Sequence, residues 1–325
     1  MNKIVETVPN FSEGRDEEKI KRIVSSLNQH PTIHVLSCES DSDYNRTVLT
    51  LLGSPEEMQD ALLDLVGVCE KEIDLNTHQG EHPRMGAVDV IPFIPVKNIT
   101  MDECVGCAKK LGQAINECYH IPVFFYAEAA TNPERVLLPN IRKGEFEGMK
   151  TKIKDPDWHP DCGTPDIHPT FGALAVGARP FLIAYNIDLD SRDEKIASAI
   201  AKAIRKSSGG FQYIQAGPAF LAQRGHVQVT MNILDYKKNP LYRIFETVRM
   251  EARRYLVLAT SAEIVGLMPK EALVQSLDYY LQANKEAIKA KTLSHQELVE
   301  LGRRYLLLRE FEVTKLVEHY LEQPE

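Results

Sequence analysis

Thr47-Val48-Leu49-Thr50-Leu51-Leu52-Gly53-Ser54-Pro55-Glu56-Glu57-Met58-Gln59-Asp60-Ala61-Leu62 holds the junction on which the fold turns. Its first six residues are β-branched or aliphatic and read as a strand. Ser54 then offers a capping oxygen, Pro55 suits a first helical position that needs no N–H, and Glu57 completes a capping box. Met58, Leu62, Leu65 and Cys69 continue at helical spacing and mark the buried stripe. Upstream, Ile33–Ser37 reads as a strand forming a hairpin with Thr47–Leu52. Before it, a helix from about Asp16 places Ile20, Ile23, Val24 and Leu27 on one face, and Ile4–Pro9 reads as the first strand. Downstream, Val88–Pro95 is the next strand. The order is βαββαβ, that of a split-βαβ, ferredoxin-like unit.

A second capping box, Thr100-Met101-Asp102-Glu103, opens a helix with Ala108, Leu111 and Ile115 inward, and Val123–Tyr126 follows as a strand. The second half repeats the logic. Phe181–Ile187 is a strand, and Ser191-Arg192-Asp193-Glu194 is a further box before Ile196, Ala199, Ile200, Ala203 and Ile204. Tyr213–Gln215 and Val227–Ile233 are strands, a helix spans about Leu241–Tyr255, Glu263–Leu267 is a last short strand, and Pro269 opens another helix. The element order recurs without a residue-level repeat. The expected class is α/β (α+β), with subdomains at 1–176 and 177–325. From about Gln275 the chain is helical and charged, and Ser294-His295-Gln296-Glu297 caps a helix carrying Leu298, Leu301, Tyr305 and Leu308. That tail either packs on the body or mediates oligomer contacts.

The whole chain of 325 residues is 43% hydrophobic and 26% charged, in the range of globular proteins with real cores. Lys and Arg number 38 against 46 Asp and Glu, a net charge of −8, which argues against nucleic acid as the main partner. No secretory h-region and no bilayer-spanning apolar run is visible, so no membrane partner and a cytoplasmic location are expected. The six cysteines have no disulfide-framework spacing and read as reduced thiols. Cys104-x-x-Cys107 falls within a helix and reads as packing.

Residues 154–172 break the periodic pattern with four prolines and two glycines, a composition neither helix nor strand tolerates. A loop this long is linker or function, and the chain's one tryptophan, Trp158, argues for an ordered loop. Residues 134–154 carry Arg135, Arg142, Lys143, Lys150, Lys152 and Lys154 against three glutamates. They read as a solvated basic face or as a landing strip for a polyanionic tail.

The densest polar cluster is Thr77-His78-Gln79-Gly80-Glu81-His82-Pro83-Arg84-Met85-Gly86-Ala87-Val88-Asp89. His78-Gln79-Gly80-Glu81-His82 matches H-x-x-E-H, a zinc-hydrolase motif that needs both histidines on one helix face. Gly80 weakens a helix by about 1 kcal/mol, and Pro83 pushes His82 out of the α region, so the segment reads as a loop and no metal is expected. In the metal-free reading His82 is a general base, since imidazole ordinarily titrates near neutrality. A carboxylate orients its ring, and Arg84 grips an anion by its fork. The first loop, Pro9-Asn10-Phe11-Ser12-Glu13-Gly14-Arg15, joins a strand end to a helix start, and reads either as an ordinary strand-to-helix turn or as a site whose N–H groups favour an anion. Asp41-Ser42-Asp43-Tyr44-Asn45-Arg46 forms the hairpin tip, which is either a solvated turn or a set of carboxylates facing a cationic substrate group.

Taken together, Val8–Arg15, Asn45-Arg46-Thr47-Val48, the sixteen-residue stretch Gly80–Pro95 and Gly177-Ala178-Arg179-Pro180-Phe181-Leu182 resemble the formiminotransferase family. The likeness runs in order from Val8 to about Leu267, and the stretch from Gly80 is its most specific part. The resemblance implies transfer of the formimino group of N-formimino-L-glutamate, from histidine degradation, to N5 of tetrahydrofolate, releasing glutamate. It implies His82 as the catalytic histidine and the loop Gly163, Thr164, Pro165, Asp166, Ile167, His168, Pro169, Thr170, Phe171 and Gly172 as folate-binding. It also implies two α/β subdomains with a ligand groove between them, and a homodimer. Mammalian relatives carry a fused cyclodeaminase, and here a separate cyclodeaminase is expected because the chain ends at Glu325. Further assignments are Asp41 against the cationic amidine and Arg84 on a donor carboxylate. Asn10, Asn45, Arg46 and Glu81 are assigned to the substrate, and residues 134–154 to a polyglutamylated folate tail. The rival readings are the zinc hydrolase, formyl transfer or 5-formyltetrahydrofolate turnover on the same scaffold, and a non-catalytic folate carrier.

Overall fold

The computed structural model describes residues 3–221, 224–286 and 288–321. The chain divides into two compact units, Met1–Pro180 and Phe181–Glu325. In the first, β1 (Ile4–Thr7) and β2 (Asn10–Phe11) are followed by α1 (Glu17–Ser25), β3 (His34–Asp41), β4 (Arg46–Gly53), α2 (Pro55–Glu72) and β5 (Val88–Lys97). The predicted βαββαβ order is therefore present. β1 and β2 each pair antiparallel with β4 and with β5, and β3 pairs with the far side of β4. Across the sheet the order is that of the split βαβ, β5–β1/β2–β4–β3.

The local causes are those read from sequence. The Asp16 carboxylate accepts from Lys19 N–H at 3.0 Å, Ser54 caps α2 with Pro55 in its first turn, and Thr100 and Glu103 form a complete capping box. That last box opens α3 (Met101–Tyr119), which leads into β6 (Val123–Ala127), α4 (Leu138–Arg142), α5 (Glu145–Lys152) and β7 (Leu174–Ala178). β7 runs parallel to both β5 and β6 and lies between them. It is missing from the sequence reading, because Leu174-Ala175-Val176-Gly177-Ala178 is short and has no alternation. Its pairing places residues up to Ala178 in the first sheet, so a division at 176/177 runs through a strand.

Helices α1–α3 bury their stripes on one face of the sheet, where Ile20, Leu62, Leu65 and Leu111 meet Leu49, Val88, Phe93 and Val176. On the other face Ile141, Met149 and Ile153 of the α4–α5 segment cover Val90, Phe124, Tyr126 and Ala175. Covering both faces makes β5 apolar at nearly every position, with the buried Asp89 and the exposed last residue Lys97 as the exceptions.

The second unit has β8 (Ile183–Leu189), α6 (Glu194–Ile204), β9 (Ile214–Leu221), β10 (His226–Ile233), α7 (Leu241–Arg253) and β11 (Ala259–Val265). Its antiparallel order β11–β8–β10–β9 is again that of a split βαβ. Helix α6 begins later than the Ser191 box predicts. Asp193 is the cap, accepting from Lys195 N–H at 2.9 Å, while Ser191 Oγ accepts from Asp193 N–H at 3.1 Å. β9 runs beyond Gln215 through Gly217-Pro218, because an edge strand tolerates a proline that donates nothing. The tail helices α8 (Lys270–Ala283), α9 (His295–Tyr305) and α10 (Val317–Leu321) follow. Leu273, Leu277, Leu298 and Leu316 from this region join Tyr185, Ile187 and Val229 in one core. Leu307 O accepts from Ala262 N–H at 2.9 Å and Arg309 N–H donates to Ala262 O at 2.8 Å, so the tail also shields part of the β11 edge. Among the described residues no helix is long and apolar enough to cross a membrane.

Candidate active site

Three loops meet at the β3–β4 hairpin tip. Asn45 adopts a left-handed backbone, with φ 49°, and its side chain ties the other two loops together. Its Oδ1 accepts from Gly14 N–H and its Nδ2 donates to Gln79 O, both at 2.9 Å. His78 Nε2 lies 2.8 Å from Asn45 O, and Glu81 N–H donates to Asp43 O at 3.2 Å. The approach leaves no room for side chains. A Cβ on Gly14 would stand 2.2 Å from Asp41 O, and one on Gly80 would stand 2.4 Å from Tyr44 O. The glycines of both motifs are therefore there for close backbone contact.

The clasp presents His82, which is 4% exposed. Its Nε2 is buried without a hydrogen-bond partner, 3.6 Å from Asp89 Oδ2. Asp89 Oδ1 accepts from Met85 N–H at 2.9 Å, and Oδ2 accepts from Arg142 Nε at 2.7 Å and also from Arg142 Nη2. Burial opposes the charge on Asp89, but the Arg142 guanidinium, the His82 ring and the Met85 N–H outweigh it and hold the carboxyl below its ordinary range. The arrangement is a buried histidine facing a carboxylate whose charge another residue already matches. It can accept and return a proton.

The other sequence-predicted residues are less uniformly placed. Arg84 is 7% exposed and already engaged: Nη1 donates to Glu145 at 2.8 Å and to Glu147 Oε2 at 3.1 Å, and Nη2 donates to Glu147 Oε1 at 2.7 Å. Asp41 is exposed, and its Oδ1 caps the turn by accepting from Asp43 and Tyr44 N–H at 2.9 Å. Glu81 is exposed and Asn10 half-buried, the latter donating to Val8 O at 3.2 Å. Arg46 has a buried Nε without a partner and lies over the Tyr44 ring at 5.3 Å. Burial and the like charge of Arg142 lower its proton affinity.

The 163–172 loop is stitched to the His82 loop. Ala87 N–H donates to Phe171 O at 2.8 Å and Ala173 N–H to Met85 O at 3.0 Å, around a Gly86–Gly172 bridge. Phe171 is fully buried, His168 exchanges backbone bonds with Gly172, and Lys154 pairs with Asp166. Gly163 and Thr164 are exposed, while Pro165, Ile167 and Thr170 are half-buried. An open depression of ≈ 440 Å³ lies between the 75–84 segment and α5, with His78, Gly80, Arg84, Phe146 and Lys150 in its wall, and neither His82 nor a residue of 163–172 lines it.

The basic stretch 134–154 turns several of its charges inward. Arg135 donates to Asp161 at 2.8 Å, Arg142 holds Asp89, and Lys152 donates to Ile141 O at 2.9 Å. Asp89 as the partner of His82, and Arg142 as the partner of Asp89, had a single sequence signal, a carboxylate within an apolar strand. Residues 78–82 form no helical turn, and each ring faces a different partner, so the two-histidine zinc geometry is not made. Among the described residues no three His, Cys, Asp or Glu side chains converge as metal ligands.

Residues 4–179 match the family model for the formiminotransferase domain, N-terminal subdomain, and residues 184–322 that for the formiminotransferase domain. A protein of Streptococcus pyogenes serotype M1 named glutamate formimidoyltransferase is 46% identical over 87% of this chain and 94% of its own length. One of the same name from Thermoplasma acidophilum is 43% identical over 86% of this chain and 93% of its own. A formimidoyltransferase-cyclodeaminase of Gallus gallus is 40% identical over 88% of this chain, which spans 54% of that protein.

Proposed function

The chain belongs to the formiminotransferase family, and from that premise we propose that it transfers the formimino group of N-formimino-L-glutamate to N5 of tetrahydrofolate. The products are L-glutamate and 5-formiminotetrahydrofolate, in histidine degradation and one-carbon metabolism. The observation that carries the reading to particular atoms is the buried, unpartnered Nε2 of His82 beside the Asp89–Arg142 pair.

The donor is an amidine, cationic at neutral pH and already electrophilic. N5 attacks its carbon, forming the new C–N bond and a tetrahedral intermediate. His82 takes the proton from N5 and delivers it to the glutamate nitrogen as the old C–N bond breaks, so the ring ends as it began. Such a base is worth about 10²–10⁴-fold, and holding two reactants in contact supplies much of the rest. Asp89 orients the ring from 3.6 Å. The backbone bonds from Met85 and Ala87 to residues 171–173 support the adjoining loop as the folate-binding one.

Within this reading Asp41 balances the amidinium, and Asn10, Asn45, Arg46 and Glu81 contact the substrate. Arg84 takes a donor carboxylate by exchanging it for Glu145 or Glu147. The protein works as a cytoplasmic homodimer, takes tetrahydrofolate with a polyglutamate tail, and passes its product to a separate cyclodeaminase. The bifunctional names of several relatives support that last step. The test is an assay with formiminoglutamate and with a 5-formyl donor side by side, on the wild type and His82→Ala. Turnover of the formimino donor alone, lost in the variant while folate still binds, is the expected result. Near-normal turnover by His82→Ala would sink the assignment, and preference for the 5-formyl donor would move the reading to formyl transfer.

A further inference from the structure

Lys152, the last residue of α5, is half-buried. Its ammonium donates to Asn140 O at 2.5 Å, to Ile141 O at 2.9 Å and to Lys143 O at 3.4 Å. These are carbonyls at and just past the C-terminal end of α4, where partial negative charge collects. The same ammonium lies 3.7 Å from the centroid of the Trp158 ring, a cation–π seat. Helix α4 is only five residues long and has no side-chain cap at its start. Isolated turns of that length do not hold themselves. What it carries is Arg142, next in chain to Ile141, whose Nε and Nη2 grip Asp89 Oδ2. His82 Nε2 waits 3.6 Å from that same oxygen. The contacts run in one unbroken line from Trp158 to His82.

Arg142 and His82 thus compete for one carboxylate oxygen. While Arg142 is seated, the charge of Asp89 is matched and His82 keeps a ring free to take a proton. If the end of α4 drifts, Asp89 turns its charge on His82 and favours the imidazolium, which cannot accept the N5 proton.

We propose that Lys152 is a positioning residue: seated on Trp158, it pins the end of α4 so that Arg142, rather than His82, neutralises Asp89. The inference rests on the reading of His82 as the base. The charged groups facing Lys152 are cations, Lys143 and Arg135, and Arg135 is itself matched by Asp161 at 2.8 Å. Burial and those like charges pull Lys152 down to about 8. The charged group facing His82 is Asp89, and Asp89 in turn faces Arg142 and Arg46.

The test follows the C2–H resonance of His82 with pH by NMR, alongside pH profiles of kcat, in the full-length wild type, Lys152→Met, Lys152→Arg and Trp158→Leu. In Lys152→Met the C2–H transition of His82 and the acid limb of kcat both move to higher pH. Lys152→Arg, whose guanidinium can donate to the same carbonyls and stack on Trp158, keeps the wild-type pH dependence of the His82 resonance and of kcat. Trp158→Leu shifts in the same direction as Lys152→Met by less, and it carries the test if Lys152→Met does not fold. A His82 midpoint unmoved in the folded variants overturns the proposal, as does Lys152→Arg behaving like Lys152→Met. Because the resonance reports the ring directly, it still judges Lys152 if His82→Ala shows that His82 is not the base.

Discussion

Asp89 in the first unit and Asp188 in the second are both buried, both bonded to an arginine, and both 3.6 Å from a histidine Nε2. Around Asp188 the partners are plentiful. Oδ1 accepts from Gln228 Nε2 at 2.7 Å, and Oδ2 accepts from Ser261 Oγ at 2.6 Å and Arg309 Nε at 3.1 Å. Arg309 is shared with Glu263, which also accepts from Asn186 and Gln228 at 3.0 Å. Gln228 and Ser261 stand on strands of one sheet, which holds the network in register. Asp89 has fewer partners, and they come from a loop and from the five-residue α4. His226 begins a strand, whereas His82 lies in a loop clasped by Gly14, Gly80 and Asn45. His226 Nε2 is buried without a hydrogen-bond partner just as His82 Nε2 is, so the contrast lies in the carboxylates: Asp188 is held by the side chains of Gln228, Ser261 and Arg309, and Asp89 by one loop N–H and Arg142. The difference is set by which elements supply the partners.

The comparison breaks first at His82. His82→Ala should lower kcat by roughly 10²-fold or more with little change in Tm, whereas Asp188→Asn should lower Tm while the folded protein keeps kcat within a few-fold. Equal losses of kcat in the two variants would erase the contrast between the units. Asp89→Asn comes next, because it leaves the partly buried Arg142 guanidinium without its anion. It should cost about 3 kcal/mol in urea unfolding, against roughly 1–2 for Asp188→Asn, where Glu263 still holds Arg309.

A third test uses pH. Asp89 and Asp188 both sit below the ordinary carboxylate range, so their stabilisation is present above that range and is lost as pH falls through their folded values. The first unit carries an opposite case. Burial raises Glu6 to about 8 despite Arg179, so its contribution is full below the ordinary carboxylate value and is lost as pH rises through about 8. Glu6→Gln should therefore remove a loss of stability of roughly 1–3 kcal/mol between pH 5 and 9, read as urea midpoints at the two pH values. The smallest expected effect is at Gly106, within α3 with open space around a new Cβ. Gly106→Ala should stabilise by about 0.5–1 kcal/mol without touching activity, seen as a small rise in Tm.

Much of the fold was legible because its signals are local. Ser54-Pro55, Thr100–Glu103 and Ser294–Glu297 mark helix starts whatever surrounds them, and the stripes at Ile20/Ile23 and Leu62/Leu65 need only helical periodicity. β7 escaped because a short parallel strand buried on both faces has no alternation to read. The late start of α6 escaped because Ser191 and Asp193 compete for one cap, and the choice depends on where the preceding strand delivers the chain. In the site, Pro83 and Gly80 placed His82 in a loop correctly. The engagement of Arg84 by Glu145 and Glu147 spans more than sixty residues and left no mark in its neighbourhood.

By itself, then, the sequence determined the two split-βαβ orders, the helix boundaries with strong caps, and the loop character and chemical richness of Gly80–Asp89. Each of these rests on steric or hydrogen-bonding preferences that act within a few residues. Only the tertiary structure decided that Asp89 is the carboxylate beside His82, that Arg142 holds it, and that Lys152 and Trp158 stand behind Arg142. It also turned a basic stretch that reads as an exposed face partly inward. Those outcomes depend on burial, where an unmatched charge is costly and each buried ion takes whichever counter-charge or carbonyl the packing of distant segments brings within reach.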